Sequence, residues 1–198
     1  MPTHYPRDRI EAVLVNAELP PSYRIIPRQY CDTPLGTAPS DSRFCARVDG
    51  FTVLYASPDF ATAFIETVVR DRFSRKHKSE IAAKEITERA WTLITMKPRT
   101  ELSLLDLRRE GCLRLGAPTD TVNARNHAAG RAFGRAVYAG HQDIDGLIFS
   151  SRLTGVDAYA VFDRALEKLD TTDQGKLQHH PELPAVLARH KIRLVVGE

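Results

Sequence analysis

The chain has 198 residues, the size of one ordinary domain, and its 42% hydrophobic and 27% charged content is that of a soluble globular protein. A net charge of +3, from 28 basic and 25 acidic residues, makes no case for a nucleic-acid partner, and no apolar run approaches the roughly 20 residues that cross a bilayer. Charges stand in the N-terminal MPTHYPRDRIEAVL where a signal peptide needs an apolar stretch, and Cys31, Cys45 and Cys112 fit no disulfide framework, so a cytoplasmic protein with reduced thiols is expected.

In chain order, Arg9 to Ala17 reads as a short helix closed by Pro20-Pro21, and YRII (23–26) as a strand ended by Pro27. The stretch CDTPLGTAPSDS (31–42) is a loop long enough to carry function. FTVLYA (51–56), β-branched and aromatic, reads as a buried strand. Ser57-Pro58-Asp59 then starts a helix with Ser57 as its cap, and Phe60, Ala63, Phe64, Thr67 and Val68 share one face of it. Arg70 to Arg89 reads as solvated and partly helical. WTLITM (91–96) and LSLLDL (102–107) are two further strands. Asp120 to Tyr138 reads as one amphipathic helix, on which Gly130 and Gly134 leave room for another backbone to approach. GLIFSS (146–151) and AYAVFD (158–163) are strands joined by the turn RLTGVD, and a helix at Leu183 to His190 leads into a terminal strand, IRLVV (192–196). Strands interleaved with helices make a mixed α+β domain, read as a single unit over residues 1–198.

The chemistry narrows first by elimination. The seven histidines form no HExxH pair and match no cysteine at zinc spacing, so no metal site is expected. There is no GxxxxGK[ST], GxGxxG or GxSxG. What remains is a set of charges in apolar surroundings. Glu66 stands inside the otherwise uncharged ATAFIETVV, either as an exposed partner of Arg70 one turn on or as a site carboxylate. Arg24 is the one charge in YRII, either an edge-strand residue or a binding group. Ser150-Ser151-Arg152 closes GLIF, where ordinary strand-end capping is the simpler reading.

Taken together, an early arginine (YRI), an arginine–aromatic pair after a loop (SRF, 42–44), VLYAS (53–57) leading into AFIETVVRD (63–71), and DGLIFSSR followed by AVFDR resemble the RES domain. The resemblance runs from about residue 22 to 166. It implies a fold like that of the ADP-ribosyltransferases, with a small central sheet and flanking helices. It further implies a toxin of a bacterial toxin–antitoxin pair, silenced by an Xre-type helix-turn-helix antitoxin covering the substrate cleft. The implied activity is breakdown of NAD+ at the nicotinamide–ribose bond, by hydrolysis or with inorganic phosphate as co-substrate and no resident cofactor. Transfer of ADP-ribose to a protein, and a non-catalytic binding module, are the alternatives. Where many relatives have a GGRW-like motif this chain has DSRF, keeping the arginine and an aromatic after it.

Under that resemblance each residue has a role that its chemistry suits. Arg24 and Arg43 offer guanidinium forks to the pyrophosphate of NAD+. Cleaving the N-glycosidic bond builds positive charge on the ribose, which the carboxylate of Glu66 is placed to stabilise. Tyr55 presents an aromatic face for the nicotinamide, or else is a core tyrosine. Ser151 is expected to hydrogen-bond the nicotinamide ribose.

Overall fold

The computed structural model describes residues 4–73 and 79–196. The first part of the chain forms helix α1 (Arg7–Glu11), strands β1 (Leu14–Ala17), β2 (Ser22–Pro27) and β3 (Val53–Ala56), and helix α2 (Phe60–Phe64), which runs into a π-turn at Ile65–Val69. Strand β4 (Glu80–Ala82), helix α3 (Lys84–Thr87) and strands β5 (Arg89–Met96) and β6 (Leu102–Asp106) follow. Then come helices α4 (Gly111–Leu115), α5 (Asp120–Asn123) and α6 (Ala128–Gly140), and strands β7 (Gly146–Ser150), β8 (Asp157–Phe162) and β9 (Leu169–Lys176). Helix α7 (Leu183–Arg189) and strand β10 (Arg193–Val195) end the described chain.

A five-stranded sheet in the order β1-β6-β7-β8-β3 forms the centre, parallel only between β6 and β7. A second, antiparallel sheet has the order β2-β5-β9, and β4 and β10 pair in parallel. Both faces of the central sheet are covered, and period-two alternation assigns each side chain to one of them. Leu105, Leu147, Phe149, Ala160 and Phe162 point to a core shared with Phe133 and Val137 of α6. Their neighbours Leu104, Ile148 and Val161 point the other way, onto Ile94 and Leu169 of the second sheet. A third core packs α2 and the π-turn against Ile25, Ile81, Val186 and Ile192. The two sheets meet where Tyr23 and Ser57 exchange backbone hydrogen bonds of 2.7 and 3.0 Å, which brings β2 beside β3. This is the mixed α+β architecture that the alternation of strand and helix patterns led one to expect, with a central sheet and flanking helices.

Four local expectations are corrected. Arg9 to Ala17 is not one helix: Leu14–Ala17 pairs antiparallel with Leu102–Leu105, and sheet pairing outweighs helical spacing there. The cap of α2 is Asp59, whose carboxylate accepts from Thr62 N at 2.7 Å, while Ser57 Oγ accepts from Asp59 N and donates to Asp157 O. The helix after it does not continue regularly to Phe73 but widens at Ile65, and the Arg70 N–H reaches back to the Ile65 carbonyl at 2.7 Å. Asp120 to Tyr138 is two helices, because Ala124 is extended (φ −66°, ψ 143°) and interrupts the ladder. Part of the charged stretch 70–89 lies outside the described residues, and the rest includes β4 and α3.

Candidate active site

Glu66 and Ser151, 85 residues apart in sequence, meet directly: Ser151 Oγ donates to Glu66 Oε1 at 2.5 Å. Ser151 follows β7 at the start of a tight turn that Gly155 closes with a positive φ of 74°. The Ser151 hydroxyl also accepts from Leu153 N and Thr154 N, both at 3.2 Å. Its one proton and its lone pairs are therefore engaged, and the residue is only 2% exposed. Ser151 fixes the carboxylate with its hydroxyl committed to contacts within the protein; the expected hydrogen bond to a substrate ribose requires exchange of one of them.

The π-turn decides where Glu66 points. Between buried Ile65 and buried Val68, Glu66 and Thr67 are the two half-exposed positions, and both line a cavity of about 520 Å³. The turn ends at Arg70 with φ 49° and ψ −136°, a region that a non-glycine residue enters at a cost of roughly 1–3 kcal/mol. Pairing of Glu66 with Arg70, the simpler reading of the sequence, does not occur: Arg70 Nε donates to the Glu66 backbone carbonyl at 3.3 Å and leaves the carboxylate to Ser151.

Arg43 lines the same cavity. It is 9% exposed, and among the described residues it makes one hydrogen bond, from Nη1 to the Ala124 carbonyl at 3.0 Å, and has no carboxylate within ion-pair distance. That acceptor exists because α5 and α6 are separate. Burial pulls the guanidinium's pKa down, and the charge of Glu66 opposes the shift. The segment is held by two devices. Gly130 and Gly134 let it lie against α6, where a Cβ would stand 2.4 Å from the Arg43 carbonyl oxygen and 1.9 Å from that of Phe44. This is the close approach that their spacing led one to expect. Tyr55 supplies the other device, its hydroxyl 2.8 Å from Ser42 Oγ and accepting from Phe44 N at 3.0 Å. Burial pushes the Tyr55 phenol up, so it stays protonated. Tyr55 thus lines the cavity and also anchors the turn that carries Arg43.

Arg24 lies in the same cavity but is engaged differently. Its Nη1 and Nη2 donate to the carbonyls of Pro34 and Gly36, at 2.6 and 2.9 Å, and so tie down the 31–42 loop. Burial pulls its pKa down to about 10, which leaves it charged at neutral pH. Arg24 is thus a loop anchor that also lines the cavity, with two of its five N–H groups given to the loop and the others open to the ligand contact expected of it.

The cavity wall also holds residues to which the sequence assigned no site role: Arg70, Asp71, Arg89, His127 and Arg152. Of the five arginines that line it, Arg89 is paired with Glu85 and Arg152 with Asp71; Arg24, Arg43 and Arg70 remain against Asp41 and Glu66, an excess of positive charge suited to an anionic ligand. His127 immediately precedes α6, and burial together with Arg43, Arg131, Arg70 and Arg152 lowers its pKa, so its ring is neutral at pH 7. A signal for Arg70, Asp71 and Arg152 lay in their adjacency to Glu66 and Ser151; His127 had none. A larger cleft, about 960 Å³, lies beyond the ends of β6 and β7, but its central Arg108 is neutralised by Asp106 and Asp157. Among the described residues no helix is long and apolar enough to cross a membrane.

Comparison with known proteins shows the family and the fold. The model of the RES domain matches residues 21–184, extending past the 22–166 read from the sequence. A probable toxin, y4kH, of Sinorhizobium fredii is 43% identical over 76 residues, which are 38% of this chain and 60% of that relative. A chain in the crystal structure of the M. tuberculosis MbcT–MbcA toxin–antitoxin complex superposes with a TM-score of 0.64 at 17% identity, covering 85% of this chain and 90% of that one. The structural likeness establishes the fold, a mixed α+β domain with a central sheet and flanking helices.

Proposed function

This chain belongs to the RES domain family, and from that premise we propose that it is the toxin of a toxin–antitoxin pair and cleaves the nicotinamide–ribose bond of NAD+. The observation that carries the reading is the carboxylate of Glu66, fixed by Ser151 at 2.5 Å, in a cavity that Arg43 and His127 also line. A substrate with a cationic reacting centre and a dianionic linker needs those two poles in one site. The volume, about 520 Å³, lies within the range of small-ligand pockets.

In this reading the diphosphate takes the remaining donors of Arg43, and the aromatic face of Tyr55 covers the nicotinamide. The C1′–N bond breaks, and nicotinamide leaves as a neutral molecule with the bonding pair. The ribose carries positive charge in the transition state, which Glu66 stabilises. An oxygen of water or of inorganic phosphate then bonds to C1′, and the nucleophile's proton passes to solvent or to a site base. No resident metal or cofactor enters the scheme. The toxin acts in the cytoplasm as a single domain, and an Xre-type antitoxin silences it by covering the cavity.

The test is incubation of purified protein with NAD+, with and without inorganic phosphate, following released nicotinamide. Release in both conditions supports cleavage with water as acceptor. Release only with phosphate supports phosphorolysis. With neither, the reading is wrong. Labelled NAD+ in a cell lysate reports transfer of ADP-ribose, through label carried on a protein band.

A further inference from the structure

Three polar contacts join α2 and the π-turn to the turn after β7. Thr62 Oγ1 lies 2.9 Å from Thr154 Oγ1, Ser151 Oγ donates to Glu66 Oε1 at 2.5 Å, and Arg152 Nη2 donates to both carboxylate oxygens of Asp71 at 2.7 Å. The turn itself is rigid, with Ser151 N donating to the Val156 carbonyl at 2.7 Å and Gly155 N to the Ser151 carbonyl at 2.8 Å. The three contacts follow the helix in sequence and bracket the carboxylate on both sides. On the N-terminal side Asp59 caps the helix and its carboxylate also accepts from Thr62 Oγ1 at 2.6 Å. On the C-terminal side the backbone turns through the left-handed region at Arg70, and the next residue is Asp71.

We propose that Asp71 and Arg152 are positioning residues that hold the end of the π-turn and thereby aim the Glu66 carboxylate. A strained turn persists only where its surroundings over-determine it, and this ion pair is the long-range side-chain tie immediately beyond Arg70. The pair is itself well seated: the two side chains are 26% and 32% exposed. The hydrogen bond from Arg152 holds the Asp71 carboxyl below the usual carboxylate range. Arg152 depends on it, because its Nε is buried without a partner among the described residues and loss of Asp71 removes the only carboxylate it contacts there. Arg125 Nε, 3.8 Å from Asp71, adds a weaker tie from the chain before α6. This assignment rests on the reading of Glu66 as the charge-stabilising group.

The test uses the full chain and Asp71→Asn, which keeps shape and removes the charge. Two measurements are made: NAD+ consumption, and amide hydrogen exchange across residues 65–70. Loss of aim lowers kcat on the order of ten- to a hundredfold. KM stays within about twofold, since the substrate contacts remain. Exchange speeds up at the π-turn and is unchanged in α6. A parent-like kcat with parent-like exchange overturns the proposal, and so does a raised KM at constant kcat, which marks a substrate contact instead. If Asp71→Asn does not fold, Arg152→Lys, which loses the planar donor but keeps charge, is read by the same outcomes. If the parent protein consumes no NAD+, the functional reading falls, and exchange alone decides the proposal: unchanged exchange at the π-turn overturns it.

Discussion

Gly134→Ala separates two opposing effects whose sizes the structure sets. In the interior of an exposed helix, alanine for glycine stabilises by up to about 1 kcal/mol. Here the new methyl stands 1.9 Å from the backbone oxygen of Phe44 and must reach at least 3.0 Å, so the 42–45 segment retreats by about 1 Å. Overfilling a packed contact costs roughly 1–3 kcal/mol, and an obstructing backbone atom belongs at the upper end. The net expectation is a loss of about 2 kcal/mol in urea unfolding. Arg43 is bonded to Phe44 and moves with it, and a displacement of that size lowers NAD+ turnover on the order of a hundredfold. Gly140→Ala is the control on the same helix: its nearest neighbour is the end of the His4 side chain at 3.3 Å, so it leaves activity at the parent level and stability equal or higher. If Gly134→Ala is as stable and as active as Gly140→Ala, the Arg43 segment does not lie against α6, and the account of how Arg43 is placed is wrong.

Glu66→Gln keeps the shape and the Ser151 contact but removes the charge, and should lower NAD+ turnover by roughly a hundred- to a thousandfold, about 3–4 kcal/mol of barrier; a parent rate of nicotinamide release would remove Glu66 from the chemistry. The folded pKa of His127 lies below its ordinary 6.5, and a bound anion favours the protonated ring, so NAD+ affinity should rise as pH falls below 6.5 toward that lowered value. Calorimetric titrations across about pH 5–8 should show this slope on the Glu66→Gln background, and His127→Gln should flatten it; an unchanged slope would assign it to another group. Arg24→Lys keeps the charge but cannot reach both the Pro34 and Gly36 carbonyls from a planar fork, so amide exchange across 33–38 should quicken and KM for NAD+ should rise. Parent-like exchange there would mean that Leu35, packed on the core between the sheets, is enough to hold the loop.

Strands β3, β6, β7 and β8 of the central sheet were legible because their buried faces write apolar runs, as in VLYA and GLIF. Strand β9 was not, since LDTTDQGK lies at the edge of its sheet and is largely exposed, leaving no apolar alternation to read. Strand β1 was misread as helix because four residues beside a short helix carry too little periodicity to outvote it. At the site, Glu66 and Ser151 stood out as polar residues in apolar runs, and the structure brings them together. The π-turn was hidden, because hydrophobic spacing over fifteen residues does not register one inserted residue in the ladder. His127 was hidden too: it lies in the break between α5 and α6, where Ala124 is extended, and hydrophobic spacing did not mark that break.

The two arginines read alike in sequence and differ in the fold because a guanidinium acts in two ways with different reach. Its hydrogen bonds are local and finite in number, and Arg24 gives two of them to loop carbonyls. Its charge acts over several ångströms, more strongly where burial lowers the local dielectric. Carbonyl dipoles offset only part of the cost of burying that charge, and its pKa falls to about 10 for that reason. It is still charged at neutral pH, so Arg24 raises the potential of the cavity even while two of its N–H groups hold the loop. Arg43, with a single backbone acceptor, keeps donors free for contact. One arginine shapes the wall and supplies field; the other supplies field and a fork. Such a division explains why the positive side of the cavity needs no phosphate-binding loop. The 31–42 loop is a tied strap, and in the proposed reading the diphosphate falls to side chains presented from separate elements.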